Sequence, residues 1–194
     1  MRIVSGKFRG RSLQAPKSQN IRPTSDRIRE SLFNVISHNY GDNLDNTRVL
    51  DLFAGTGALG IEALSRGARF ALFIENSIEG RGLLRQNIDN LSLQGHSKVF
   101  RRDASELGPI GSITPFDLVF ADPPYGHGFG EKAAAGLVAG GWLSPSGLFV
   151  LEEDKDCAPE SLPGFELLET KSYAGTKIGI FRLIEGDVSI HHST

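Results

Sequence analysis

The stretch RVLDLFAGTGALGIEALSRGA, Arg48 to Ala68, constrains the fold more than any other part of the chain. RVLDLF is a short, nearly continuous apolar run, the pattern of a strand buried on both faces. AGTG follows, and then ALGIEALSR has helical spacing and stops at Gly67. A strand, a glycine turn and a helix in that order open a crossover unit, so the chain must build a parallel sheet. RFALFIE (Arg69 to Glu75), KVFRRD, FDLVFAD and GLFVLEED read as four further strands. Between them lie SIEGRGLLRQNIDNL, opened by Ser77 and weakened by Gly80 and Gly82, and the glycine-laden helix EKAAAGLVAGGWL. After Pro163, FELLETKSY and TKIGIFRL form a closing hairpin that turns at Ala174-Gly175. The predicted class is α/β, with a mostly parallel sheet and an antiparallel pair at one edge.

Upstream, TSDRIRESLFNVISHNY places Ile28, Leu32, Val35 and Ile36 at helical spacing, with Thr24 or Ser25 as N-cap and Asp26 in the first turn. Residues 1–25 mix Arg, Gly, Pro and Ser with short apolar alternation and read as a small hairpin or extended arm. From Ile184 onward no pattern remains, and the tail is expected to be disordered. The 194 residues, 39% hydrophobic, suit one domain with a full core and a small appendage. One cysteine, Cys157, leaves no internal disulfide. No apolar run nears the roughly 18 residues of a membrane span. The basic N-terminus lacks the apolar stretch of a signal peptide. A soluble, cytoplasmic protein is expected. Five histidines without ligand spacing point to no metal site.

The net charge of −2 conceals an asymmetry: residues 1–30 hold eight Lys/Arg and two Asp/Glu, leaving the rest strongly acidic. Segregated, Arg-rich charge on an acidic protein points to a polyanion-facing surface.

The distinctive polar residues fall at strand ends. Asp51 and AGTG follow the first strand, Glu75 the second, Asp103 the third and Asp122-Pro123-Pro124-Tyr125 the fourth. In an open α/β sheet, ligands sit beyond the carboxyl ends of the strands. Gly55, Gly57 and Gly60 satisfy G-x-G-x-x-G, and Glu75 lies 18 residues past Gly57, near the spacing of an acid that binds ribose hydroxyls. A dinucleotide would set a pyrophosphate on the helix N-terminus. Asp51, just ahead of the loop, suits a cationic ligand better, and Asp103 adds an acceptor for an adenine amine. The acidic rim therefore favours S-adenosylmethionine.

The Asp-Pro-Pro-Tyr turn then acquires a use. The lone pair of an exocyclic base amine is delocalised into the ring, and attack on a methyl group requires that it be freed. The Asp122 carboxylate and the Pro123 carbonyl can accept the two N–H bonds, with proline fixing φ to aim them. Tyr125 can stack on the base, and Asp122 can take the proton.

DLFAGTGALGIEALSRGA, FIE, DPPY and the segment RPTSDRIRESLFN together resemble the bacterial small-subunit ribosomal RNA guanine-N2 methyltransferases of the RsmD type, from about Arg2 to Leu183. The acid-Pro-Pro-aromatic motif is shared by many amino-methyltransferases, whereas RPTSDRIRESLFN ahead of DLFAGTG is far more specific. The resemblance implies a Rossmann-like class I S-adenosylmethionine-dependent fold, seven-stranded with a reversed last strand. It implies that Asp51, Phe53, Ala54, Gly55 and Gly57 frame the methionine part of the cofactor. Glu75 would hold the ribose, and Asp103 with Ala104 the adenine, with Asn76 also cofactor-binding at the edge of the adenine pocket. Asp122, Pro123, Pro124 and Tyr125 would be catalytic. Arg22, Pro23, Thr24 and Arg27 would lie at the substrate entrance, with Arg9 and Arg11 gripping RNA phosphates. Asn76-Ser77 departs from the family, where a charged residue is common after the acid. The glycine-rich YGHGFG reads as a flap, with His127 a candidate RNA contact.

These readings divide the chain into a basic RNA-facing arm (1–25), a methyltransferase domain (26–183) and a tail (184–194). The expected protein is a monomer acting on small-subunit ribosomal RNA, within a 30S particle or an assembly intermediate. Three alternatives stay open: an adenine-N6 or cytosine-N4 methyltransferase on DNA or RNA, an NAD-dependent oxidoreductase, and a non-catalytic RNA-binding assembly factor.

Overall fold

The computed structural model describes residues 1–16, 25–41 and 44–184. The first helix, α1 (Asp26–Tyr40), is followed by β1 (Arg48–Leu52), α2 (Ala58–Ser65), β2 (Phe70–Ile74), α3 (Ile78–Asn90) and β3 (Ser97–Phe100). Then come β4 (Phe116–Ala121), α4 (Phe129–Gly140), β5 (Leu143–Asp154), β6 (Phe165–Tyr173) and β7 (Thr176–Leu183). The seven strands form one sheet in the order β3-β2-β1-β4-β5-β7-β6. Strands β1 to β5 pair in parallel, while β7 runs antiparallel to both β5 and β6. This is the Rossmann-like methyltransferase sheet with its reversed last strand. Strand order reverses between β1 and β4, so a crevice opens at their carboxyl ends.

Local chemistry sets most boundaries. Ser25 caps α1 by accepting from the Ile28 N–H, and Ser77 caps α3 by accepting from the Gly80 N–H. Thr24, the other candidate cap, lies outside the described residues, as do the other residues of 17–24, the pair 42–43 and the tail 185–194. Strand β3 is shorter than its sequence suggests. Its only partner is β2, which ends at Ile74, and the ladder closes with the Glu75 N–H on the Phe100 carbonyl. Asp103 therefore sits in a loop. Strand β5 begins four residues before the predicted GLFVLEED, with an irregular register against β4. The glycine-laden α4 starts two residues early and ends at Gly140, capped by Gly141, after which Trp142 is fully buried and donates its indole N–H to the Gly108 carbonyl.

Two features were not visible locally. The buried face of α1 is Arg29, Leu32, Phe33 and Ile36, whereas Ile28 and Val35 are only half-buried. Arg29 is fully buried because its guanidinium pairs with Asp26 at 2.8 Å and donates to the Arg2 carbonyl. The second feature is α2, every residue of which is buried, including Glu62 and Ser65. A helix on an open sheet ordinarily keeps a wet face. Here the N-terminal segment covers it. Ile3 and Leu13 join the same core cluster as Leu59 and Leu64. The Glu62 carboxylate accepts from the Val4 and Ser5 N–H groups at 2.8 and 3.0 Å and from Arg66 at 2.8 Å. Ser65 bonds the backbone of Ser5, Lys7 and Phe8. Strand-like pairing in the segment amounts to one isolated bridge, Arg2 to Ser12. Among the described residues, no helix is long and apolar enough to cross a membrane.

Glu62→Ala leaves two backbone donors and a guanidinium without their buried acceptor. It should lower the free energy of urea unfolding by about 3–5 kcal/mol. A loss under about 1 kcal/mol would mean that the segment is held by apolar contacts alone.

Candidate active site

Beyond the carboxyl ends of β1, β2 and β4 lies a cavity of about 540 Å³. Its floor is the turn after β1. Phe53, Gly55 and Gly57 all have left-handed backbone, at φ of 56°, 55° and 80°. For Phe53 that conformation costs on the order of 1 kcal/mol, and it persists because the turn is bonded around it. The Ala54 N–H reaches the Ile74 carbonyl at 3.0 Å, and the Gly57 N–H reaches the Ala54 carbonyl at 2.8 Å. A Cβ on Gly57 would stand 2.3 Å from Leu84 Cδ1, so α3 packs where only hydrogen fits.

Two carboxylates hold this turn from beneath. Glu75, just after β2, accepts the Gly55 N–H on Oε2 and the Ser77 N–H on Oε1, both at 2.7 Å. Asp51, within β1 and 2% exposed, accepts the Gly60 N–H at 2.9 Å. A Cβ on Gly60 would be 2.4 Å from the Phe73 ring, which explains how the α2 backbone comes so near the carboxylate. Burial pushes the Asp51 carboxyl up to about 8; the Gly60 N–H opposes this and the Glu75 charge adds to it.

The opposite wall is Asp122-Pro123-Pro124-Tyr125, which leaves β4. The Tyr125 hydroxyl donates to Glu152 Oε1 at 3.0 Å and lies 3.3 Å from Thr176 Oγ1, so β5 and β7 together fix the ring. Burial, followed by the charges of Glu152 and Asp122, holds its hydroxyl well above the usual phenol range. Glu153 accepts the Gly126 N–H at 3.2 Å and secures the end of the turn. The remaining wall holds Asn76, Asp103 and Ala104. Asp103 is exposed and accepts from the Ser105 N–H and hydroxyl at 2.8 and 2.7 Å, bonds that keep its carboxyl below the usual range.

Apart from Gly57, the residues predicted for the cofactor and for catalysis all line this one cavity; Gly57 shapes its floor. The predicted RNA residues that the structure describes, Arg9, Arg11 and Arg27, do not line the cavity. Arg9, Arg11 and Arg27 are exposed, and Arg11 donates to the Asn90 carbonyl at the end of α3. Arg22, Pro23 and Thr24 fall outside the described residues. Sequence reasoning missed Thr56, Arg102 and Phe129, which also line the cavity, and Glu152 and Thr176, which stand behind Tyr125. The acids closing β5 were a usable signal for Glu152, since they end a strand beside the turn. Phe129 stacks on Phe53 with ring centroids 6.2 Å apart, and His127 packs against Phe129 in a tilted arrangement at 5.4 Å.

Comparison with known proteins identifies the family to which the fold belongs. The family described as conserved hypothetical protein 95 matches residues 1–182. The chain is 38% identical to the ribosomal RNA small subunit methyltransferase D of Escherichia coli K12, over 90% of this chain and 85% of that protein. It is 33% identical to the Haemophilus influenzae protein of the same name, over 95% and 93%. The solved structure of yhhF from Escherichia coli superimposes with a TM-score of 0.80 at 31% identity, covering 94% of this chain and 97% of that one.

The raised Asp51 carboxyl has a measurable consequence. From about pH 4 to about pH 8 the folded chain keeps a proton that the unfolded chain has released, so this group lowers stability as pH rises through that window and no further above it. Asp51→Asn removes the titration. The stability of that variant relative to the parent should rise with pH, by up to about 1.4 kcal/mol per pH unit. Parallel urea-unfolding profiles across the window would show that Asp51 is charged in the folded protein.

Proposed function

The chain belongs to the family of the ribosomal RNA small subunit methyltransferases D, and on that premise we propose that it transfers a methyl group from S-adenosylmethionine to the exocyclic N2 amine of one guanine in small-subunit ribosomal RNA. The observation that carries the reading is that the Asp-Pro-Pro-Tyr turn and the glycine loop clamped by Glu75 face one cavity. The donor set fits this cofactor. Four carboxylates, Asp51, Glu75, Asp103 and Asp122, line the cavity against one guanidinium, Arg102, which already donates to the Leu107 carbonyl. A pyrophosphate would meet mostly negative charge, which weighs against a nicotinamide dinucleotide.

When bound, the cofactor supplies an electrophilic methyl group on a sulfonium. Asp51 and the turn from Phe53 to Gly57 lie at its cationic amino-acid portion. Glu75 accepts from the ribose hydroxyls on lone pairs not used by Gly55 and Ser77. Asn76, Asp103 and Ala104 border the adenine. The target guanine leaves its local stack to reach the cavity. Tyr125, its hydroxyl tied to Glu152, offers a ring face that cannot swing away. The Asp122 carboxylate and the Pro123 carbonyl accept the two amine N–H bonds and return the lone pair to nitrogen. That lone pair would then be free to take the methyl group the cofactor supplies, and Asp122 would take the amine proton. Arg9, Arg11, Arg22 and Arg27 grip phosphates of RNA within a 30S particle or an assembly intermediate, with Pro23 and Thr24 at the entrance. The protein works as a cytoplasmic monomer whose basic arm (1–25) serves the domain at 26–183.

Tritium transfer from labelled S-adenosylmethionine to small subunits from cells lacking the enzyme should place label in N2-methylguanosine at a single position. Label in another nucleoside would refute the base assignment. Asp122→Ala should lower turnover by about 10²- to 10⁴-fold, with cofactor affinity by calorimetry unchanged. Unimpaired turnover would remove Asp122 from the reaction. A cation beside Asp51 favours its ionised form, so cofactor binding near pH 7 should release a proton and strengthen as pH rises to about 8. Identical binding heats in buffers of different ionisation enthalpy would place the cation elsewhere.

A further inference from the structure

Asn87 sits on α3, outside the cavity, with 1% of its surface exposed. Its amide makes three hydrogen bonds, all to backbone atoms of two distant segments. Nδ2 donates to the Thr56 carbonyl at 2.9 Å and to the Gln14 carbonyl at 3.3 Å. Oδ1 accepts the Gln14 N–H at 2.7 Å. The orientation of the amide is unambiguous, because a carbonyl can only accept and an N–H can only donate. Thr56 belongs to the turn that lines the cavity, and Gln14 belongs to the N-terminal segment. A helical asparagine pays no packing dividend on an apolar face, and a buried amide is costly unless satisfied. This one is satisfied only by bridging the two.

We infer that Asn87 is a positioning residue that couples occupancy of the cavity to the order of the N-terminal segment at Gln14, downstream of Arg9 and Arg11. The inference rests on the cavity being the cofactor site. A ligand that fixes the glycine turn fixes the Thr56 carbonyl. That carbonyl holds the Asn87 amide in one rotamer, and the amide holds Gln14 through a donor and an acceptor. The segment's other contacts reach three helices, through Arg2 to Asp26 and Arg29 on α1, Glu62 and Ser65 on α2 and the Asn90 carbonyl on α3. A loosened Gln14 therefore leaves the earlier part of the segment attached and acts on its downstream end. Coupling of this kind is reciprocal: RNA held by the segment raises cofactor affinity by the factor with which cofactor raises RNA affinity.

The test is amide hydrogen exchange at Gln14 with and without S-adenosylhomocysteine, on the whole protein, after calorimetry has established binding. In the parent, saturation should slow exchange at Gln14 by about fivefold or more, the low end of ordinary coupling factors. Asn87→Asp keeps an acceptor for the Gln14 N–H and loses both donors. It should still bind S-adenosylhomocysteine, yet show no ligand-dependent slowing at Gln14. With small subunits as substrate, the same variant should raise KM more than it lowers kcat. Equal exchange rates in the parent with and without ligand would overturn the coupling, whatever any variant does. Persistence of the slowing in Asn87→Asp would assign it to another path. If S-adenosylhomocysteine fails to bind the parent, the cofactor reading falls first and the inference with it. If it binds and couples while no methyl reaches the subunits, only the RNA reading falls.

Discussion

The rest of the site depends on two buried carboxylates that hold one turn from below. Asp51 takes the Gly60 N–H and Glu75 takes the Gly55 N–H, so the loop between them is fixed at both ends by strand-borne acids. A turn with three left-handed residues in five would otherwise sample many shapes. At Gly60 the Asp51 carboxyl works at short range because a hydrogen stands where a side chain would meet the Phe73 ring. Glycine at positions 57 and 60 is thus a packing requirement imposed by Leu84 and Phe73, as well as a concession to a ligand. The same acids line the cavity, so the groups that shape the turn also set the potential that a ligand meets.

The second constraint is the coverage of α2. This helix carries the turn at its amino end, and all eight of its residues are buried. Its outer face is closed by residues 3–13, through Ile3 and Leu13 on the apolar side and Glu62 and Ser65 on the polar side. A segment read as a small basic hairpin or extended arm is, over residues 1–16, part of the structure that supports the loop. Its arginines remain exposed because the bonds that dock it are made largely by its backbone. Docking by backbone leaves the side chains available for charge, which is how one stretch can serve both packing and a polyanion.

What could be read from the residues follows from the range of the interactions. β1, β2, β4, the Ser77 cap of α3 and the hairpin turn at Ala174-Gly175 are set by neighbours a few positions away, and each lies where its pattern places it. The convergence of Asp51, Glu75, Asp103 and Asp122 on one rim was legible for the same reason, since each ends or follows a strand and parallel strands end together. The misses are long-range. Glu62 reads as the wet face of a helix until residues 4 and 5 arrive 57 to 58 positions away in sequence. Thr176 reaches Tyr125 across 51 positions and only because β7 pairs with β5. Arg29 reads as exposed until Asp26 and the Arg2 carbonyl enclose it. The length of β3 was misjudged because a strand's end is decided by its partner, and β2 is short.

Charge segregation then bears on how a nucleic acid can approach. The first 30 residues carry an excess of six positive charges on a chain of net −2, while the cavity is lined by Glu75, Asp103 and Asp122 as well as by Asp51, which keeps its proton up to about pH 8. A phosphodiester is attracted by the former and repelled by the latter, and at physiological salt both effects fade within about 8 Å. The backbone of a bound RNA is therefore held outside the rim. A neutral base is under no such exclusion, and its amine hydrogens are donors for which the rim supplies acceptors. On the proposed reading, the field would separate the two parts of one nucleotide, keeping phosphate on the basic segment and admitting the base alone. Extrusion of the target guanine, which the in-line geometry of methyl transfer requires, is favoured by the same arrangement of charge that selects a cationic cofactor.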